Sequence, residues 1–129
     1  MNNIEGTLPS KPGIMGKRVF IGEMGRCAQD FSFSKPQHES VNRENIRKAV
    51  AWGAPFVLYW EMYNNEIKDN VQRGFWLIDN TNTKWPLYDT YFNFYAQAKQ
   101  WVLSQKKTLN RLPTREEYIS WAYATLANP

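Results

Sequence analysis

The chain reads as an α/β protein in which short buried strands alternate with amphipathic helices. Two observations predict this. Two brief apolar runs, Arg18-Val19-Phe20-Ile21 and Phe56-Val57-Leu58-Tyr59-Trp60, are rich in β-branched and aromatic residues and too short for buried helices. Between them, Ile46, Ala49, Val50 and Gly53 recur at helical spacing. Strand, helix and strand joined by short connections make a βαβ unit, and a strand apolar on both faces belongs to a parallel sheet covered on both sides.

The elements follow in order. Residues 1–16 are polar and broken by Gly6, Pro9, Pro12 and Gly13, so they read as a loop or arm. The first strand, 18–21, ends at Gly22. The segment 25–39 has no clear period and contains Pro36, which gives a long connection at the strand's C-terminal end. Ser40 or Asn42 is positioned to cap a helix running to about Trp52, with Gly53 as its stop. The second strand, 56–60, leads into a polar loop over 64–73. Residues 74–79 suggest a short strand or packed ribbon, and 80–84 a turn. A helix is expected over 89–103 from Tyr91, Phe92, Tyr95, Ala98, Lys99 and Val102, and a last helix starts where Thr114 and Glu117 stand at capping-box spacing. The divisions are therefore an arm (1–16), a main unit (17–104) and a linker with a C-terminal helix (105–129).

Composition narrows the function. With 43% hydrophobic residues the chain is globular, and six Trp, seven Tyr and seven Phe exceed what a small core usually needs. That surplus suits a packed core or a sugar-stacking cleft. The net charge of +4 is spread without a basic stripe, so a nucleic-acid partner is not expected. No stretch approaches the ~18 apolar residues of a membrane span, and no secretory signal is visible, which leaves localisation unknown. The one cysteine, Cys27, excludes an intrachain disulfide, and one Cys with one His falls short of a zinc site, so no metal or cofactor is expected. Cys27 and His38 share the long connection, but no third group orients them as a nucleophilic pair.

The chemistry-bearing residues follow the strands. In Val19-Phe20-Ile21-Gly22-Glu23-Met24-Gly25 a carboxylate stands directly after a buried strand, flanked by glycines that allow a close ligand approach. In Tyr59-Trp60-Glu61-Met62-Tyr63-Asn64-Asn65-Glu66 the second strand delivers aromatic rings, amides and carboxylates together. The C–H faces of a sugar pack on a ring while amides and carboxylates take the hydroxyls, which makes Trp60, Glu61, Tyr63, Asn64 and Asn65 candidate substrate contacts.

Together these segments resemble the clan of retaining glycosidases with (β/α)8 barrels that includes family 5 cellulases and family 39 β-xylosidases. The nucleophile of that clan closes strand seven in a pattern close to Ile-Gly-Glu-Phe-Gly, matched here by Ile21-Gly22-Glu23-Met24-Gly25. Strand eight of the clan ends in a Trp that floors the sugar subsite, in text similar to that around Trp60. Arg73-Gly74-Phe75-Trp76-Leu77-Ile78-Asp79 and Pro86-Leu87-Tyr88 are also similar to clan segments. The resemblance spans about 17–102. It implies a partial TIM barrel, the C-terminal βαβα portion of a (β/α)8 barrel with an extra C-terminal helix. It implies Glu23 as nucleophile, Trp60 and Trp76 as substrate contacts, and a poly- or oligosaccharide substrate.

One departure limits the expected activity. The clan's acid/base glutamate sits in an Asn-Glu pair upstream, and no such pair precedes Glu23. Retaining hydrolysis needs two carboxyl groups about 5–5.5 Å apart. Strand alternation turns Glu61 away from the face of Trp60, so Glu61 is not the expected acid. The chain is then a glycosidase-like fragment or subunit that is incomplete alone, with a non-catalytic carbohydrate-binding remnant or a structural domain as the alternatives. Two interior strands also leave open sheet edges, which another chain or a second copy is expected to cover.

Overall fold

The computed structural model describes residues 1–63 and 66–128. Its elements are helix α1 (Asn2–Thr7), strand β1 (Ile21–Met24), helix α2 (Lys35–Trp52), strands β2 (Val57–Tyr59), β3 (Ile67–Lys68) and β4 (Val71–Gln72), and helices α3 (Pro86–Leu109) and α4 (Arg115–Ala127). β1 and β2 pair in parallel, and β3 and β4 form a separate antiparallel hairpin.

This corrects the expected fold. Among the described residues there are four α-helices and two sheets of two strands each, with no barrel and no run of alternating βα units. The helices outweigh the strands because the turn signals that bounded the expected helices lie inside the actual ones. Pro36 occupies the first turn of α2, where its missing N–H costs nothing, and Ser34 is the N-cap. Pro86 likewise sits in the first turn of α3, which runs on to Leu109. Segment 74–79 contributes only two isolated bridges at Ile78, to Tyr63 and to Lys84, and the polar loop expected over 64–73 contains the β3–β4 hairpin instead.

α2 holds the core together. Its buried residues, His38, Asn42, Ile46 and Ala49, fall four, four and three apart and so share one face. Gly53 ends the helix at φ 89°, in the left-handed region open to glycine. Ile46 joins Leu77, Leu87 and Leu126 in the main cluster, against which Met24, Val57, Tyr59 and Phe94 pack. Asn42 is fully buried and clamps the chain after β1. Its Oδ1 accepts from Arg26 N at 2.7 Å, and its Nδ2 donates to the carbonyls of Arg26 (3.0 Å) and His38 (2.8 Å).

The remaining elements are tied by local polar devices. Thr114 and Glu117 form the expected capping box, with Thr114 N donating to Glu117 Oε2 at 2.7 Å and Glu117 N to Thr114 Oγ1 at 3.2 Å. Arg111 adds a bidentate pair to Glu117, and these partners hold its pKa down to about 2. The turn after Asp79 closes on that carboxylate, which accepts from the backbone N–H of Thr81 and Thr83 and from Trp85 Nε1. Burial alone would raise the Asp79 pKa, yet these donors outweigh it and bring it to about 2. The arm is not all loop: Glu5 of α1 accepts from Arg18 N and Val19 N, both at 2.9 Å, and so anchors the arm just before β1.

His38, expected in a loop, is fully buried in α2, where its Nε2 lies 3.1 Å from the Tyr59 hydroxyl and its ring meets Trp85 edge-on. Burial holds its pKa below 6.5, against smaller opposing pulls from the Arg26 backbone and the Glu39 carboxylate. The folded protein therefore resists the protonation that the unfolded chain accepts near its ordinary value. This stabilisation is complete above that value and is lost as the pH falls. Urea midpoints are expected to drop between about pH 7.5 and about pH 5.5. His38→Gln is expected to be less stable at the upper pH and to have a flatter decline. Parallel declines in the two proteins would show that His38 does not set the slope.

Candidate functional site

The ends of β1 and β2 build the candidate site. Ile21 pairs with Val57 and Met24 with Tyr59, so three steps along β1 match two along β2. Such a bulge puts two residues of one strand opposite one of the other. Gly22 and Glu23 thus share the position opposite Leu58, and all three are exposed, while Met24, Val57 and Tyr59 pack toward the helices. The carboxylate of Glu23 stands on the face of the sheet turned away from the helical core.

Trp60 continues the same alternation. Two residues beyond Leu58, it returns to the open face and is 40% exposed. Its N–H donates to Met24 O at 2.9 Å, which extends the parallel pairing one residue past β2. A Cβ at Gly25 would collide with the Trp60 carbonyl oxygen, so the two strand ends approach as closely as a glycine permits. The Trp60–Glu61 peptide bond is cis.

The other expected residues divide. The Glu61 backbone laces the loop to its neighbour, donating to Phe75 O at 3.1 Å and accepting from Leu77 N at 3.2 Å. Tyr63 is exposed and bridges to Ile78. Asn64 and Asn65 lie outside the described residues. Trp76 does not join the open face: it is 6% exposed and packs on Trp85 with ring centroids 5.7 Å apart, so its ring serves the core.

Sequence reading missed two residues that border the site. Trp60 Nε1 donates to Glu66 Oε1 at 2.9 Å, and Arg73 Nη1 lies 3.3 Å from Glu66 Oε2. The pair sits at the base of the β3–β4 hairpin, whose turn carries Asp69 and Asn70 at positive φ. An Asp-Asn pair between two short apolar-polar runs is a hairpin signal that could have located them. Cys27 is fully buried with its sulfur 3.7 Å from Arg73 Nη2, and so serves that arginine rather than His38, which pairs with Tyr59.

No protein family, curated protein or solved structure matches the chain. Function must therefore be argued from the site.

A well-formed groove lies elsewhere. A groove of about 860 Å³ between α3, α4 and β2 is lined by Phe56, Tyr91, Phe94, Tyr95, Val102 and Tyr118 among others, and by no Asp, Glu or His. It has the volume for a ligand but no carboxylate to orient hydroxyls or move a proton. The open face of β1 and β2 has less concavity and the more useful chemistry. Among the described residues no cluster of three His, Cys, Asp or Glu is placed to hold a metal ion.

The crossing at Gly25 gives a direct prediction. Gly25→Ala must push the Trp60 backbone away from β1, and overpacking of this kind typically costs ~1–3 kcal/mol. The urea midpoint is expected to fall accordingly and the tryptophan emission to change. A variant with unchanged stability and emission would show that the strand ends do not meet as described.

Proposed function

We propose that this chain is a glycosidase-like, carbohydrate-active segment whose open β1–β2 face binds an oligosaccharide. Glu23 is its nucleophilic carboxylate and Trp60 its stacking platform. The observation that carries the reading is the placement of Glu23 and Trp60 on one solvent-facing side of two adjacent strand ends. An indole face suits the C–H surface of a sugar ring, and a carboxylate beside it suits a hydroxyl or an anomeric carbon. The resemblance at Ile21-Gly22-Glu23-Met24-Gly25 and around Trp60 supports the same assignment independently of the fold.

Chemistry requires a second carboxyl group. The Glu66 carboxylate beside Trp60 is engaged by Trp60 Nε1 and by Arg73 rather than free to donate a proton, so in this reading the acid comes from another chain or another part of a longer one. Losing general acid assistance typically costs ~10²–10⁴-fold. The purified 129-residue chain is expected to bind cellohexaose or xylohexaose, read by tryptophan quenching, and not to hydrolyse aryl glycosides. Trp60→Ala is expected to weaken binding by roughly tenfold or more, as for a buried aromatic anchor. The absence of binding by the intact chain, or equal binding by Trp60→Ala, would remove the reading. Turnover abolished by Glu23→Gln would instead show that the chain is complete.

Association belongs to the same reading. Among the described residues β1 and β2 each pair on one side only, and an unpaired backbone group that becomes buried costs ~1–3 kcal/mol. Large apolar side chains are also exposed, including Phe56 at 65%, Phe92 at 62% and Tyr95 at 69%. Surfaces of this kind mark contacts with other chains. Sedimentation equilibrium is expected to show concentration-dependent self-association. A monomer persisting at high micromolar concentration would contradict it.

A further inference from the structure

We infer that Glu66 is a positioning residue that fixes the ring plane of Trp60 for ligand stacking. The inference rests on the sugar-binding reading above and assigns a role to a residue which that reading leaves unused. An exposed tryptophan ordinarily turns about two side-chain torsions, and holding it in one orientation on binding costs affinity. Here the ring is already held, because its N–H donates to Glu66 Oε1 at 2.9 Å.

The acceptor is itself held. Arg73 Nη1 stands 3.3 Å from the other Glu66 oxygen, and Arg73 N donates to Glu66 O at 3.1 Å, so the two residues are joined through side chain and backbone. Arg73 stacks on Phe75 at 4.8 Å and reaches the Cys27 sulfur. Its carbonyl accepts from Gln29 N at 3.0 Å, and the next carbonyl, of Gly74, accepts from Ala28 N at 2.7 Å. These bonds anchor the hairpin base to the chain that follows Glu23. One connected set of contacts therefore runs from the loop after the candidate nucleophile, through Arg73 and Glu66, to the ring that would carry the sugar. The hairpin is short, its Ile67 and Val71 are exposed, and neither belongs to the main hydrophobic cluster, whose buried members are Ile46, Leu77, Leu87 and Leu126.

The test uses the whole chain and separates ring positioning from sugar binding. The indole N–H signals of the six tryptophans are recorded by proton–nitrogen correlation, with Trp60 assigned from Trp60→Phe. In Glu66→Ala the Trp60 signal is expected to move toward the position of a solvent-bonded indole while the other five stay. Glu66→Gln keeps an oxygen acceptor, and its signal is expected to stay near that of the parent. Cellohexaose and xylohexaose affinities are then expected to fall about three- to tenfold in Glu66→Ala, with most of the loss restored in Glu66→Gln. An unmoved Trp60 signal in Glu66→Ala, or a moved signal with unchanged affinity, overturns the positioning role. Absence of binding in the parent chain defeats the sugar reading and the ligand role of Glu66 with it. The indole signal still shows in that case whether Glu66 holds the ring.

Discussion

The candidate site depends on how closely two strand ends approach one another. Trp60 N–H bonds to Met24 O, and the Trp60 carbonyl occupies the space where a side chain at position 25 would begin. That approach requires glycine, and it joins the end of the strand that carries Glu23 to the end of the strand that carries Trp60. The bulge in β1 does the complementary work. Without the extra residue, alternation from Ile21 would turn Glu23 toward the core and Met24 to solvent, and the sheet would lose both its core contact and its exposed carboxylate.

The sheet is lopsided, and the proposed function rests on that. Met24, Val57 and Tyr59 bury one face against α2 and α3, while Glu23, Leu58 and Trp60 leave the other to solvent. Both outer strand edges lack a partner strand within the described chain. The open strand edges and exposed apolar side chains suit contact with other protein as well as with the proposed ligand. The apolar groove beside α3 and α4 suits protein contact: its walls are mainly hydrophobic and hold no Asp, Glu or His.

Much of the local structure was legible because single residues specified it. Thr114 and Glu117 stood at the spacing of a capping box and form one, and Gly53 was a helix stop and is one. Pro36 and Pro86 misled because a proline in the first helical turn and a proline in a loop look alike in sequence. The barrel expectation failed for a different reason. Strand-end motifs report chemistry at the ends of strands, not the architecture around them, and here two short strands pair in parallel without a barrel or alternating βα units. Of the expected site, Glu23 and Trp60 are both exposed at the ends of paired strands, and Trp76 is taken into the core. Glu66 and Arg73 escaped notice because their link to Trp60 crosses a hairpin whose strands are only two residues each.

The central claim is that Glu23, Leu58 and Trp60 form one ligand-facing surface. Backbone amide shifts mapped during titration with cellohexaose test it most directly. The account predicts changes concentrated at residues 22–25 and 58–61 and at the base of the β3–β4 hairpin, with the α3–α4 groove unaffected. Changes centred on Tyr91, Phe94 and Tyr118, or none anywhere, would contradict it.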